Sequence, residues 1–115
     1  MIQQSLTPEL FSQLRLDGGW MLRHVDIQKA GTEVIIEASL DWNAPDTTQF
    51  QLVFKNCRYT SWDVIAQEEY EDRDGYNVMG FDLYDQPEGK EVVVRVEEFE
   101  VMITYGEIIF QYEES

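Results

Sequence analysis

Between Glu33 and Trp42 every second residue is apolar: Val34, Ile36, Ala38, Leu40 and Trp42 fall on one side of an extended chain, and Glu33, Glu37, Ser39 and Asp41 on the other. Side chains alternate across a strand with period two, so this pattern calls for a strand with one dry and one wet face. The same alternation recurs along most of the chain. Trp20 to Ile27 is rich in aromatic and apolar residues, and Lys29-Ala30-Gly31-Thr32 has the length and the glycine of a hairpin connection to the strand that follows. Gln49 to Lys55 places Phe50, Leu52 and Phe54 inward and Gln49, Gln51 and Lys55 outward, after a turn at Asn43-Ala44-Pro45-Asp46.

Further strands are expected around Met79, Phe81 and Leu83; Val92, Val94 and Val96; Phe99, Val101, Ile103 and Tyr105; and Ile108, Phe110 and Tyr112. Turns are expected at Gln86-Pro87-Glu88-Gly89 and at Tyr105-Gly106. The segment Cys57 to Val64 alternates poorly, with Tyr59 and Trp62 on opposite faces, as a bulged or bent edge strand would require. At the start, Thr7-Pro8-Glu9 combines a capping hydroxyl, a proline with preset φ and an acid facing the dipole, which predicts a short helix from about Pro8 to Leu14. Gly18-Gly19 then lets the chain turn.

Phe, Ile, Leu and Val supply 32 of the 115 residues, enough for a packed core, and the length suits one domain over residues 1–115. No repeat or Pro/Ser linker divides it. The expected fold is an all-β antiparallel β-sandwich of about seven or eight short strands with a short N-terminal helix; a closed β-barrel is the runner-up.

The chain carries 8 basic and 23 acidic side chains, a net charge of −15. That charge repels phosphate backbones and anionic lipid, so neither nucleic acid nor membrane is expected as a partner. No run of apolar residues reaches the length of a membrane span, and Met1-Ile2-Gln3-Gln4 lacks the features of a secretion signal. Cys57 is the only cysteine, which excludes an internal disulfide and a cysteine zinc cluster. A reducing, cytoplasmic home is the expectation that follows.

The acids are unevenly placed. Residues 1–62 hold seven acids and five bases, whereas residues 63–115 hold sixteen acids and three bases. The densest stretch contains Asp63, Glu68, Glu69, Glu71, Asp72 and Asp74 against Arg73 alone. Such a run keeps a β-rich protein soluble, and it also presents an electronegative field that speeds and selects the docking of a basic partner. Trp62, Tyr70 and Tyr76 sit in and beside it, and these residue types concentrate binding energy at interfaces. The candidate partner-binding residues are therefore Trp62, Asp63, Glu68, Glu69, Tyr70, Glu71, Asp72, Asp74 and Tyr76.

Catalytic and metal signatures are weak. Asp72-Arg73-Asp74-Gly75 has the core of a calcium loop, but its twelve-residue frame would start at Tyr70 and end at Phe81, neither of which ligates through a carboxylate. A looser, weak calcium site on Asp72, Asp74 and Asp82 stays open. His24, the only histidine, stands two residues from Asp26 and could form the base half of a triad with Cys57 as nucleophile, although no local signature surrounds either residue. A glycosidase needs one acid of raised pKa in a sugar-sized cleft, and Glu97, Glu98 and Glu100 read more simply as wet-face residues. No phosphate loop, nucleophile elbow or dinucleotide fingerprint is present, and no cofactor is expected.

The sequence therefore points to a non-catalytic acidic interaction module that binds a basic protein partner in an inhibitor, immunity-type or adaptor role. A small-ligand-binding β-barrel is the alternative, and a solvated acidic domain with a weak calcium site the next. Oligomeric state is left open, a dimer through the less charged first half being compatible with the pattern.

Overall fold

The computed structural model describes residues 2–7, 9, 20–39, 49–64, 76–86 and 89–112. Among them the chain forms nine strands: β1 (Ile2–Ser5), β2 (Met21–Gln28), β3 (Glu33–Ser39), β4 (Gln49–Lys55), β5 (Tyr59–Val64), β6 (Tyr76–Gln86), β7 (Gly89–Val96), β8 (Phe99–Tyr105) and β9 (Glu107–Tyr112). They make one antiparallel sheet in the order β1-β9-β4-β3-β2-β6-β7-β8-β5. The terminal strands β1 and β5 are not neighbours, so the sheet is open and the closed barrel held as runner-up is not formed.

The sheet is pinched in the middle. β2 and β6 share only the registers Met21↔Asn77 and Leu22↔Tyr76, extended by the Val78 amide donating to the Trp20 carbonyl at 2.8 Å. Long ladders flank this seam, from Glu33↔Lys55 to Ser39↔Gln49 on one side and from Val78↔Val96 to Gln86↔Gly89 on the other. A narrow seam lets the two halves fold over one another as the two layers of a sandwich and enclose a single core. Trp20 fills the junction, its ring 5.6 Å from Phe50 of the first half and 5.5 Å from Phe81 of the second. Phe54 meets Tyr105 edge-on at 5.5 Å, again across the layers. Around these rings the alternating positions Val34, Ile36, Leu52, Val92, Val94, Val101 and Ile103 are all buried.

The connection between β2 and β3 forms where it is expected, as a short 3-10 turn at Lys29–Gly31. Lys29, Ala30 and Gly31 take φ of 52°, 56° and 92°, and the Thr32 amide and hydroxyl both donate to the Lys29 carbonyl, at 3.2 and 2.8 Å. Only the third of these left-handed positions is free of a Cβ cost.

Several expectations are corrected. Nine strands form instead of seven or eight, because the polar β1 pairs along β9 from Ile2↔Tyr112 to Ser5↔Ile109. In β3, Glu33 and Ser39 are buried despite their wet-face phase, since the ends of the strand are covered. There Lys29 stands 3.5 Å from the Glu33 carboxylate, and the Arg23 Nε approaches the Ser39 hydroxyl at 3.4 Å. Met79 does not join Phe81 inside. The register slips between Val78 and Gly80, so Val78 and Phe81 both point inward and Met79 is left 60% exposed. Glu98, expected on a wet face, is only 6% exposed where β7 turns into β8. The expected helix over 8–14 lies outside the described residues but for the exposed Glu9, as do Gly18-Gly19, Leu40, Trp42 and the turns at 43–46 and 87–88.

Candidate partner interface

β5 is an edge strand, paired among the described residues with β8 alone, from Tyr59↔Thr104 to Val64↔Phe99. Residues in register share a face, so Thr60 and Trp62 lie on the core side with Ile103 and Val101, and Tyr59, Ser61 and Asp63 on the outer side with Thr104, Met102 and Glu100. This accounts for the irregular aromatic pattern of the segment. Trp62 extends the core layer to its rim, beyond which no further strand lies among the described residues, and Tyr59 stands on the outer surface.

Trp62 stacks on Phe99 with ring centroids 4.5 Å apart and planes 21° from parallel, yet it remains 45% exposed. Tyr76, the first residue of β6, meets the same Phe99 edge-on at 5.0 Å. The two aromatic residues that bracket the acidic segment in sequence therefore converge on one buried ring, Phe99. Of the candidate partner-binding residues, the structure brings Trp62, Asp63 and Tyr76 together here. Glu68, Glu69, Tyr70, Glu71, Asp72 and Asp74 lie outside the described residues.

The outer face beside this corner carries an unbalanced row of charge. Arg95, Glu100 and Asp63 are in register across β7, β8 and β5. Arg95 donates from Nε to Glu100 at 3.0 Å, and this carboxylate raises the guanidinium pKa above its ordinary value. Asp63 and Glu100 face each other directly, an arrangement of like charges that opposes folding. One cation serves two carboxylates there, and Asp82 and Glu91 add further acids to the same four-stranded face. Phe99 and Glu100 escaped the sequence reading of the site. The alternation marked Phe99 as core, and only the register places it between Trp62 and Tyr76.

His24 and Cys57, the candidate base and nucleophile, are held apart. Cys57 is buried, its Sγ donating to the Phe54 carbonyl at 3.3 Å, and its amide donates to the Thr32 carbonyl. Burial pushes the thiol pKa up, and the nearby Glu33 carboxylate adds to this against a lowering hydrogen bond from the Val34 backbone. His24 is exposed in β2 opposite Glu37, five positions along β3 from Thr32. At about 3.3 Å per residue that separation is roughly 16 Å, beyond any direct proton transfer. Asp26 accepts a hydrogen bond from Gln28 at 2.8 Å. Among the described residues no three His, Cys, Asp or Glu side chains cluster closely enough to hold a metal ion, and Asp72 and Asp74 are not among them. Among the same residues no helix is long and apolar enough to cross a membrane.

No family model matches the chain. No curated protein matches it either. The chain is similar to the solved structure of an uncharacterized protein from Neisseria gonorrhoeae, at 9% identity and a TM-score of 0.62, covering 98% of this chain and 100% of that one. At that identity the likeness is one of fold, and it extends over the whole sheet.

Proposed function

We propose that the protein is a non-catalytic acidic interaction module that captures a basic protein, in an inhibitor, immunity-type or adaptor role. The observation that carries this reading is the corner of β5 and β8, where half-exposed Trp62 adjoins Asp63 and Asp63 opposes Glu100 in register. Desolvating a tryptophan supplies affinity, and unbalanced carboxylates supply steering and selection, so a lysine or arginine brought here relieves a repulsion already built into the sheet. In sequence, Asp63 opens a segment, 63–74, that carries six acids against Arg73 alone. A cytoplasmic setting belongs to this reading, in line with a single buried thiol and no disulfide partner.

The test is capture from lysate of the source organism at low and high salt, with a Glu68→Gln/Glu69→Gln/Glu71→Gln/Asp72→Asn variant alongside. The expected result is a basic protein retained by the native chain at low salt, lost at high salt and lost from the variant, while both chains melt alike. Equal retention by the variant would make the acidic segment a solvated loop and overturn the proposal.

A further inference from the structure

We infer that the outer edge of β5 receives an extended segment of the basic partner as an added strand, in which apolar side chains settle beside Trp62 and Thr60 and basic side chains beside Asp63. This rests on the reading of the protein as an acidic module for a basic partner, and it names both the docking element and the form of the ligand.

Three features of the edge converge. First, among the described residues β5 ends the sheet, and along its six residues every second one turns its backbone N–H and C=O away from β8. An edge of this kind is a template for pairing unless it is blunted, and Tyr59-Thr60-Ser61-Trp62-Asp63-Val64 contains no proline and no lysine to blunt it. Second, the core layer is unfinished at this edge. The row Phe81, Val94, Val101 and Trp62 runs through buried residues to a tryptophan that is 45% exposed, so a neighbouring apolar side chain would cover it. Third, the opposite face of the same strand bears Asp63 against Glu100. Because side chains alternate, a single extended segment meets both demands only if its apolar and basic residues alternate too. A second copy of this chain fits poorly, since each copy carries a net charge of −15 and brings more acid to the same row.

The experiment uses the full isotopically labelled chain at low salt and a short capped peptide alternating valine and lysine. A block isomer of the same composition serves as one comparison. The others are two N-methylated forms of the alternating peptide, each with one of the two sets of alternate amides methylated. Strand addition predicts that amide shifts concentrate on Tyr59–Val64 and the Trp62 indole, and that the block isomer binds at least about tenfold more weakly. It also predicts that one N-methylated form loses about tenfold or more while the other keeps its affinity, because only one set of peptide amides faces β5. Equal binding by all four peptides with shifts scattered over the acidic surface would overturn strand addition and leave the basic-partner reading standing. No binding by any of them would overturn both. Concentration-dependent shifts at Tyr59–Val64 without peptide would assign the edge to a second copy and overturn the inference as stated.

Discussion

A Cβ placed on Gly106 would stand 3.0 Å from the Cβ of Asn56, and the Gly106 amide donates to the Lys55 carbonyl at 2.9 Å. The two links that carry the chain between the layers, one after β4 and one after β8, are therefore packed against each other at one corner of the sandwich. Asn56 takes a φ of 57° there, a left-handed conformation that asparagine tolerates better than most residues. Gly106→Ala is expected to cost about 1 kcal/mol, read from urea denaturation, because the new methyl presses on a neighbour that cannot easily yield. Asn56→Gly removes the obstructing Cβ and accepts the same φ, so the double variant should recover at least about 0.5 kcal/mol relative to the sum of the single losses. Strict additivity would place the strain of Gly106→Ala elsewhere.

The bulge at Met79 makes a second expectation. Its neighbours Val78 and Phe81 are buried at 1% and 0% exposure, while Met79 stands in solvent. Met79→Lys should change stability by no more than about 0.5 kcal/mol. Phe81→Ala should cost about 3–5 kcal/mol, through the lost ring and the cavity it leaves against Trp20. A large loss from Met79→Lys in thermal melts would mean that the register continues unbroken and Met79 faces the core.

That bulge also marks the limit of what alternation can tell. Val34, Ile36, Phe50, Leu52, Phe54, Val92 and Val94 are all inside as their spacing requires, since each lies on an uninterrupted ladder. One extra residue in β6 reverses the phase, and nothing in Val78-Met79-Gly80-Phe81 distinguishes a bulge from a regular strand except the glycine. The strand β1 was illegible for another reason. Gln3, Gln4 and Ser5 are exposed and give no apolar alternation, and the strand takes its ladder from β9. Of the candidate interface, the chemistry of Trp62, Asp63 and Tyr76 was readable because aromatic and acidic types stand out in sequence. Their meeting at Phe99, and the opposition of Asp63 to Glu100, depend on which strands pair, which is a long-range fact that local spacing does not encode.

Cys57 supplies a prediction about reactivity. Its thiol is buried, bonded to the Phe54 carbonyl and raised in pKa first by burial and then by Glu33, so little nucleophilic thiolate forms in the native protein. Alkylation by iodoacetamide, followed by mass spectrometry, should be at least about tenfold slower in buffer than in denaturing urea, with the native rate set by local opening. Matching rates in the two conditions would show that the segment joining β4 to β5 is open in solution.

Tyr105 gives the stability of the fold a dependence on alkaline pH. Burial first, and the Asp85 carboxylate second, push its phenol from 10.0 up to about 12. The folded state therefore keeps the proton where the unfolded chain has released it. Its contribution to stability is complete below pH 10 and is lost as the pH rises through the folded value of about 12. The loss over that interval should come to about 1–2 kcal/mol once solvent screening is allowed for. Tyr105→Phe keeps the ring against Phe54 and removes the ionisation, so the variant should show a shallower decline in its urea midpoint across the same interval. Parallel declines for the two proteins would mean that another group governs the alkaline limb and that the Tyr105 hydroxyl reaches water in the folded state.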